Sequence, residues 1–228
     1  MKIETLDHVA LWAADRDALA DFLTSHTDMH LIDRTDKFTL VGSDARRGKL
    51  TLFAADGDGE REAGVLARVG LRVFDLEEAL ARFPAGVAVE RGDGQALVEA
   101  PGGLRLALVE VDEGVAYDLH DIAFRVPGPQ ATFAQLAELG FAVEDGALRA
   151  GDSLVLLEEG DPGDTEAPLL NHLGLRVESA DDHIREAEQR GLEIADVVDA
   201  ANTYAVFVWG PDRIKLEYVE HKPTFSLT

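Results

Sequence analysis

The chain has 228 residues, 46% of them hydrophobic and 29% charged, which is enough for one large domain or two compact ones around a real core. Lysine and arginine number 21 against 44 acidic residues, a formal net charge of −23, so the surface repels nucleic acid and anionic lipid and neither is expected as a partner. Cysteine is absent, which removes disulfides and thiolate metal sites and leaves His, Asp and Glu as the strong metal ligands. The longest apolar runs, such as Ala205–Trp209, are far below bilayer length, and Met1–Thr5 has no basic stretch leading into an apolar one. A cytoplasmic protein without a membrane span is therefore expected.

In chain order, the first predicted strand is Leu6-Asp7-His8-Val9-Ala10-Leu11, followed by a helix carrying Leu19, Phe22 and Leu23 behind Asp15 and Asp17. Runs at Phe38–Val41 and Lys49–Phe53 read as strands. The turn-rich stretch Asp56–Glu60 reads as a linker. The pattern then restarts. Leu66–Val73 alternates as a strand, Leu76, Ala79, Leu80 and Phe83 mark a helix, and Val87–Glu90, Ala96–Glu99 and Leu104–Val109 read as strands. After Val111–Gly114 comes a third strand, Leu119–Val126, a helix with Phe133, Leu136 and Leu139 stopped by Gly140, and strands at Leu148–Ala150 and Leu154–Leu157. Beyond the linker Gly160–Asp164, Leu170–Val177 is the fourth strand. Ser179 or Asp181 caps its helix, Gly191 closes it, and Ala205–Trp209 and Ile214–Val219 follow.

These are four copies of one βαβββ unit, with leading strands about 50–60 residues apart. The third position of each leading strand reads His8, Arg68, Asp121 and His172. Alternation places the four on a common strand face. In the closing strands Glu217 aligns with Thr51 and Ala107, while the third copy is too compressed for its equivalent to be assigned. His120 stands one residue off the slot and is expected to face the other side of its strand.

Leu6-Asp7-His8-Val9-Ala10-Leu11, Asn171-His172-Leu173-Gly174-Leu175 and Pro211-Asp212-Arg213-Ile214-Lys215-Leu216-Glu217 resemble the vicinal oxygen chelate superfamily of glyoxalases, bleomycin-resistance proteins and extradiol dioxygenases. The resemblance extends over essentially the whole chain. It implies an α+β fold of four βαβββ modules paired into two cupped mixed sheets, with ligands on the first and last strand of each module. Carried onto this sequence, those slots make His8, His172 and Glu217 the metal ligands, with Thr51 in the fourth position. Because ligands survive in copies one and four, 1–57 with 165–228 is expected to be the metal-binding pair. Residues 61–160 would form a degenerate pair with Arg68 against Asp121.

Two histidines and a carboxylate suit Fe(II) and O2 chemistry, with Mn, Ni, Zn or Co as other metals for such a site. The implied activity is an Fe(II)-dependent extradiol-type dioxygenase cleaving a small dihydroxylated aromatic of the catechol or hydroquinone class, with O2 as co-substrate. The alternatives are a metal-dependent glyoxalase- or epimerase-like isomerase or lyase, and a non-catalytic small-molecule binding protein of the same fold. Tyr204, His221 and Tyr218 are the candidate acid–base residues, with Asn171 and Asn202 nearby. The sequence departs from the family pattern where Phe207 replaces a tyrosine and Arg213 replaces the glycine of a Pro-Asp-Gly turn. Many relatives dimerise, and the acidic surface leaves a homodimer open.

Overall fold

A computed structural model describes residues 1–55, 61–163 and 166–228. The expected linker Asp56–Glu60, Asp164, and the division points at 57 and 165 lie outside the described residues. The first copy comprises β1 (Thr5–Ala13), α1 (Arg16–His26), β2 (His30–Arg34), β3 (Phe38–Asp44) and β4 (Arg47–Ala54). The second comprises β5 (Leu66–Val73), α2 (Leu76–Ala81), β6 (Val89–Arg91), β7 (Gln95–Glu99) and β8 (Arg105–Glu110). The third has β9 (Leu119–Val126), α3 (Pro129–Glu138), β10 (Ala142–Glu144), β11 (Ala147–Ala150) and β12 (Ser153–Glu159). The fourth has β13 (Leu170–Arg176), α4 (Ala180–Arg190), β14 (Ile194–Asp199), β15 (Thr203–Trp209) and β16 (Lys215–His221).

The helix ends follow local chemistry. Asp15, Asp75 and Ser179 each accept a backbone N–H from the first turn of α1, α2 and α4, which satisfies a donor with no partner inside the helix. Gly191 closes α4 at φ 63°, a conformation that penalises any side chain. Strands β2, β10 and β14 carry no clear alternation and were not expected from the sequence. Each lies at the outer edge of its sheet, largely exposed, so little hydrophobic patterning marks them. His30 opens β2, just after α1.

The strands form two mixed eight-stranded sheets, ordered β14-β15-β16-β13-β1-β4-β3-β2 and β10-β11-β12-β9-β5-β8-β7-β6. Copies one and four thus share one sheet, and copies two and three share the other. Each sheet is joined at its centre by the two leading strands running antiparallel, β1 with β13 and β5 with β9. Every leading strand also pairs in parallel with its own closing strand. One buried cluster runs through both halves and includes Leu11, Leu50, Leu71 and Phe124. Arg47 ion-pairs with the buried Asp118, Nε to Oδ2 at 2.9 Å, and ties β4 to the approach to β9. No helix among the described residues is long and apolar enough to cross a membrane.

The registers assign the slot that the sequence left open. Two residues beyond each leading-strand slot, Ala10 faces Thr51, Gly70 faces Ala107, Gly174 faces Glu217 and Ala123 faces Leu156. The third copy therefore carries Leu156 where the fourth carries Glu217. In this second sheet Arg68 and Asp121 approach to 3.3 Å, and Asp121 is 1% exposed and also accepts from His120 Nδ1 at 2.8 Å. Removing the guanidinium would strand a buried carboxylate. Arg68→Met should cost about 2–3 kcal/mol in urea unfolding, and adding Asp121→Asn should recover part of that loss.

Candidate metal centre

His8 on β1, His172 on β13 and Glu217 on β16 project from one face of the first sheet and are all buried. The β1/β13 register sets His8 opposite Gly174 and His172 opposite Ala10, so the imidazoles sit over small residues of the neighbouring strand. A Cβ on Gly174 would lie 2.3 Å from His8 Cε1, so a glycine is needed for the ring to occupy its place. Gly174 was not singled out from the sequence as a site residue. Its position two residues after His172 was the available signal.

The three donor atoms form a nearly equilateral triangle. His8 Nε2 lies 3.0 Å from His172 Nε2 and 2.9 Å from Glu217 Oε2, and the remaining edge is 3.0 Å. Donors about 2.1 Å from a metal are about 3.0 Å apart when they subtend right angles and about 3.4 Å apart in a tetrahedron. The triangle's edges are those that three donors of an octahedral site would have. It is the His/Asp/Glu cluster with metal-binding spacing among the described residues.

The hydrogen-bond partners define the tautomers. His8 Nδ1 is 2.8 Å from Asp7 Oδ2 and His172 Nδ1 is 3.0 Å from Asn171 Oδ1, both acceptors, so each Nδ1 carries its hydrogen. Both Nε2 lone pairs then converge with the Glu217 carboxylate. A single proton can bridge only part of this triangle, whereas a divalent cation satisfies all three donors. Burial opposes charge on His8, but Glu217 and Asp7 outweigh it and raise the imidazole to about 9. Burial likewise works against the Glu217 carboxylate, and the two histidines reverse it and lower the group to about 2. His172 is lowered, chiefly by burial. The residues present thus fit a divalent cation.

Asp7, 2% exposed, organises the layer beneath. It takes Lys49 Nζ at 2.9 Å on both oxygens, His8 Nδ1, and His221 Nε2 at 2.9 Å. Burial would raise this carboxyl, yet Lys49, His221 and His8 hold it well below the usual carboxylate range. The Asp7–Lys49 pair was not anticipated from the sequence, because a strand lysine gives no sign of being buried until its partner is known.

A cavity of about 780 Å³ opens over the triangle. Aromatic side chains form much of its wall, with Trp12, Phe38, Phe53 and Phe207 on the sheet and Phe225 on the C-terminal segment. Phe207, where the family pattern has a tyrosine, meets the His172 ring edge-on at 5.0 Å. His221 lines the cavity and stacks on Phe225 at 4.2 Å. Thr51 and Asn202 also line it.

The other two candidate acid–base residues do not reach the cavity. Tyr218 follows Glu217 directly and so points to the opposite face. There it is fully buried, donates its hydroxyl to Leu139 O at 2.8 Å, and stacks on His183. Tyr204 lies between cavity-lining Thr203 and buried Ala205, and its hydroxyl is associated with Asp181 at the start of α4. Tyr218 is thus a packing residue rather than an acid–base group of the cavity, and Tyr204 faces away from the cavity.

The glyoxalase/bleomycin resistance protein/dioxygenase superfamily profile matches residues 5–218. No curated protein matches the chain significantly in sequence. Among solved structures, a candidate dioxygenase from Bacillus subtilis superposes with a TM-score of 0.78 at 17% identity, covering 98% of this chain and 87% of that one. Glyoxalase I from Zea mays gives 0.73 at 15% identity, covering 95% and 92%. The cppA protein from Streptococcus pneumoniae gives 0.63 at 15% identity, covering 95% and 98%. At these identities the likeness is one of fold.

Two outcomes are expected of this centre. Metal uptake near neutral pH must displace the proton held at His8, whose raised value means the charged form persists up to about 9. Apparent affinity should therefore climb about tenfold per pH unit between 6 and 8.5 and level off above 9, as read by competition with a chromophoric chelator. Gly174→Ala should displace the His8 ring and weaken metal binding about 10- to 100-fold, while circular dichroism shows the fold retained.

Proposed function

The chain belongs to the glyoxalase/bleomycin resistance protein/dioxygenase superfamily, and we propose that within it the protein is an Fe(II)-dependent, extradiol-type dioxygenase that cleaves a small dihydroxylated aromatic. The observation that carries this reading is the three-donor face of His8, His172 and Glu217 opening into an aromatic-walled cavity. Thr51 in the fourth slot supports it over the isomerase reading, since a neutral hydroxyl stands where a fourth carboxylate or amide would serve that chemistry. In this proposal 1–57 with 165–228 are the working pair. Residues 61–160 are the degenerate pair, in which Arg68 and Asp121 replace the ligands.

Iron(II) held by His8 Nε2, His172 Nε2 and Glu217 Oε2 would supply chelation of two substrate oxygens and activation of O2. The protein's own groups do the rest. Phe53 and Phe207 flank His172 and, with Trp12, give a planar ring an apolar surface to lie against. His221 is the group placed to move a proton. Its Nε2 lies 2.9 Å from the Asp7 carboxylate, and the ring lines the cavity, where it can take the proton of a substrate hydroxyl. Asp7 thus holds the tautomer of His8 and lies beside the His221 ring.

Anaerobically iron-loaded protein is expected to bind about one iron per chain and to consume O2 with catechols or hydroquinones, releasing a ring-opened product. His172→Ala should lose the metal. His221→Gln should keep it while kcat falls about 100-fold. Fully loaded protein that consumes no O2 with either substrate class would sink the proposal.

A further inference from the structure

The cationic side chains of the cavity are unusual for this chain. Three of its five lysines, Lys37, Lys49 and Lys215, line the cavity, and no arginine is among the described lining residues, although arginine carries most of the positive charge elsewhere. Lys49 is committed to Asp7. Lys37 is exposed at the mouth. Lys215 is different, being half-buried in the wall on the same strand face as the triangle. Among the described residues its ammonium has no acceptor within hydrogen-bonding distance; the Trp209 ring lies 5.0 Å away, and the Asp196 carboxylate acts on it electrostatically.

The cavity also holds two acids that ligate nothing. Asp33 accepts the backbone N–H of Arg34 and Asp196 that of Val197, each at 2.8 Å, and both belong to edge strands. Lys215 lies instead on β16, the strand that carries Glu217. Strand β16 presents Lys215, Glu217, Val219 and His221 in alternation to the cavity. Lys215 is two residues, about 7 Å, to one side of Glu217, and His221 lies on the other side. A ring held over the triangle with a hydroxyl toward His221 would turn its far edge toward Lys215.

We infer that Lys215 anchors a carboxylate carried by the substrate, making the preferred substrates dihydroxylated aromatic acids rather than unsubstituted catechol or hydroquinone. This rests on the dihydroxyaromatic reading above and adds the charge class of the substrate. A half-buried ammonium without an acceptor has lost part of its hydration, which the Asp196 charge offsets only at a distance, and a carboxylate supplies a direct charge-assisted hydrogen bond. Protein of net charge −23 repels anions at long range, so an anionic substrate requires a cation of this kind inside the site. Trp209 backs the lysine, with Arg213 stacked on the same ring at 3.9 Å, and so limits the directions the ammonium can take.

The test is a binding measurement. Anaerobic Fe(II)-loaded protein is titrated with 4-nitrocatechol, whose absorbance reports chelation, and the probe is displaced with catechol or 3,4-dihydroxybenzoate, and with hydroquinone or 2,5-dihydroxybenzoate. The better acid is expected to displace the probe at about tenfold lower concentration than its neutral parent, as one charge-assisted hydrogen bond warrants. Lys215→Met, checked for unchanged metal content and circular dichroism, should collapse that ratio toward unity, and Lys215→Arg should keep most of it. Acids no tighter than their parents, or a preference that survives Lys215→Met, would overturn the inference and leave the dioxygenase reading standing. Failure of 4-nitrocatechol and all four competitors to bind the loaded protein would overturn both.

Discussion

The antiparallel pairing of β1 with β13 is the constraint on which the rest of the structure depends. It brings residues 164 positions apart into one hydrogen-bonded ladder, so that His8 and His172 meet with their Nε2 atoms 3.0 Å apart. Because side chains alternate along a strand, a slip of one residue would send both imidazoles to the helix-covered side. The same ladder sets Gly174 beneath His8. Parallel pairing of β16 with β13 then carries Glu217 into the triangle and brings Lys215 and His221 with it. A site of three side chains from three strands thus follows from two registers.

The layer below explains how so many polar groups can be buried there. Asp7 is nearly inaccessible, yet it is surrounded by the Lys49 ammonium and by ring nitrogens of His8 and His221. The lysine balances its charge, and the histidines use its remaining lone pairs. The result is a foundation in which Lys49 offsets the Asp7 charge and Asp7 fixes the direction of a candidate ligand, His8, with the candidate proton carrier His221 beside it. Such satisfied networks hold side chains to one geometry, which a metal triangle with edges near 3 Å requires.

The second sheet repeats the architecture with different contents. Its four slots hold Arg68, Ala107, Asp121 and Leu156, and the charged pair meets across the central ladder where the two histidines meet in the first sheet. A guanidinium and a carboxylate compensate each other and need no cation. Gly70 lies against Asp121 as Gly174 lies against His8. The fold therefore tolerates either filling. The candidate metal site lies in one cup, and Tyr218 bonded to Leu139 O and Arg47 to Asp118 join the halves.

Much of this was legible in the amino-acid sequence. The fourfold recurrence of a leucine-led strand, a helix and short β-prone runs determined the module and the α+β class, because alternation and helical spacing are local properties. The slot carrying His8 and His172, and its complement carrying Glu217, could be read by aligning the copies. Strand parity puts Tyr218 on the opposite face from Glu217 and His221, a consequence that the candidate set of Tyr204, His221 and Tyr218 did not use. The edge strands β2, β10 and β14 could not be read, since exposed short strands carry no apolar pattern. The compressed third copy hid Leu156 until its ladder to Ala123 was known. Tertiary structure alone decided that Lys49 is buried against Asp7, that Phe225 stacks on His221, and that Lys215 faces the cavity without an acceptor. A sequence specifies local periodicity directly, but which distant groups come to share one desolvated space is decided by non-local register, and that register is set by the packing of the whole chain.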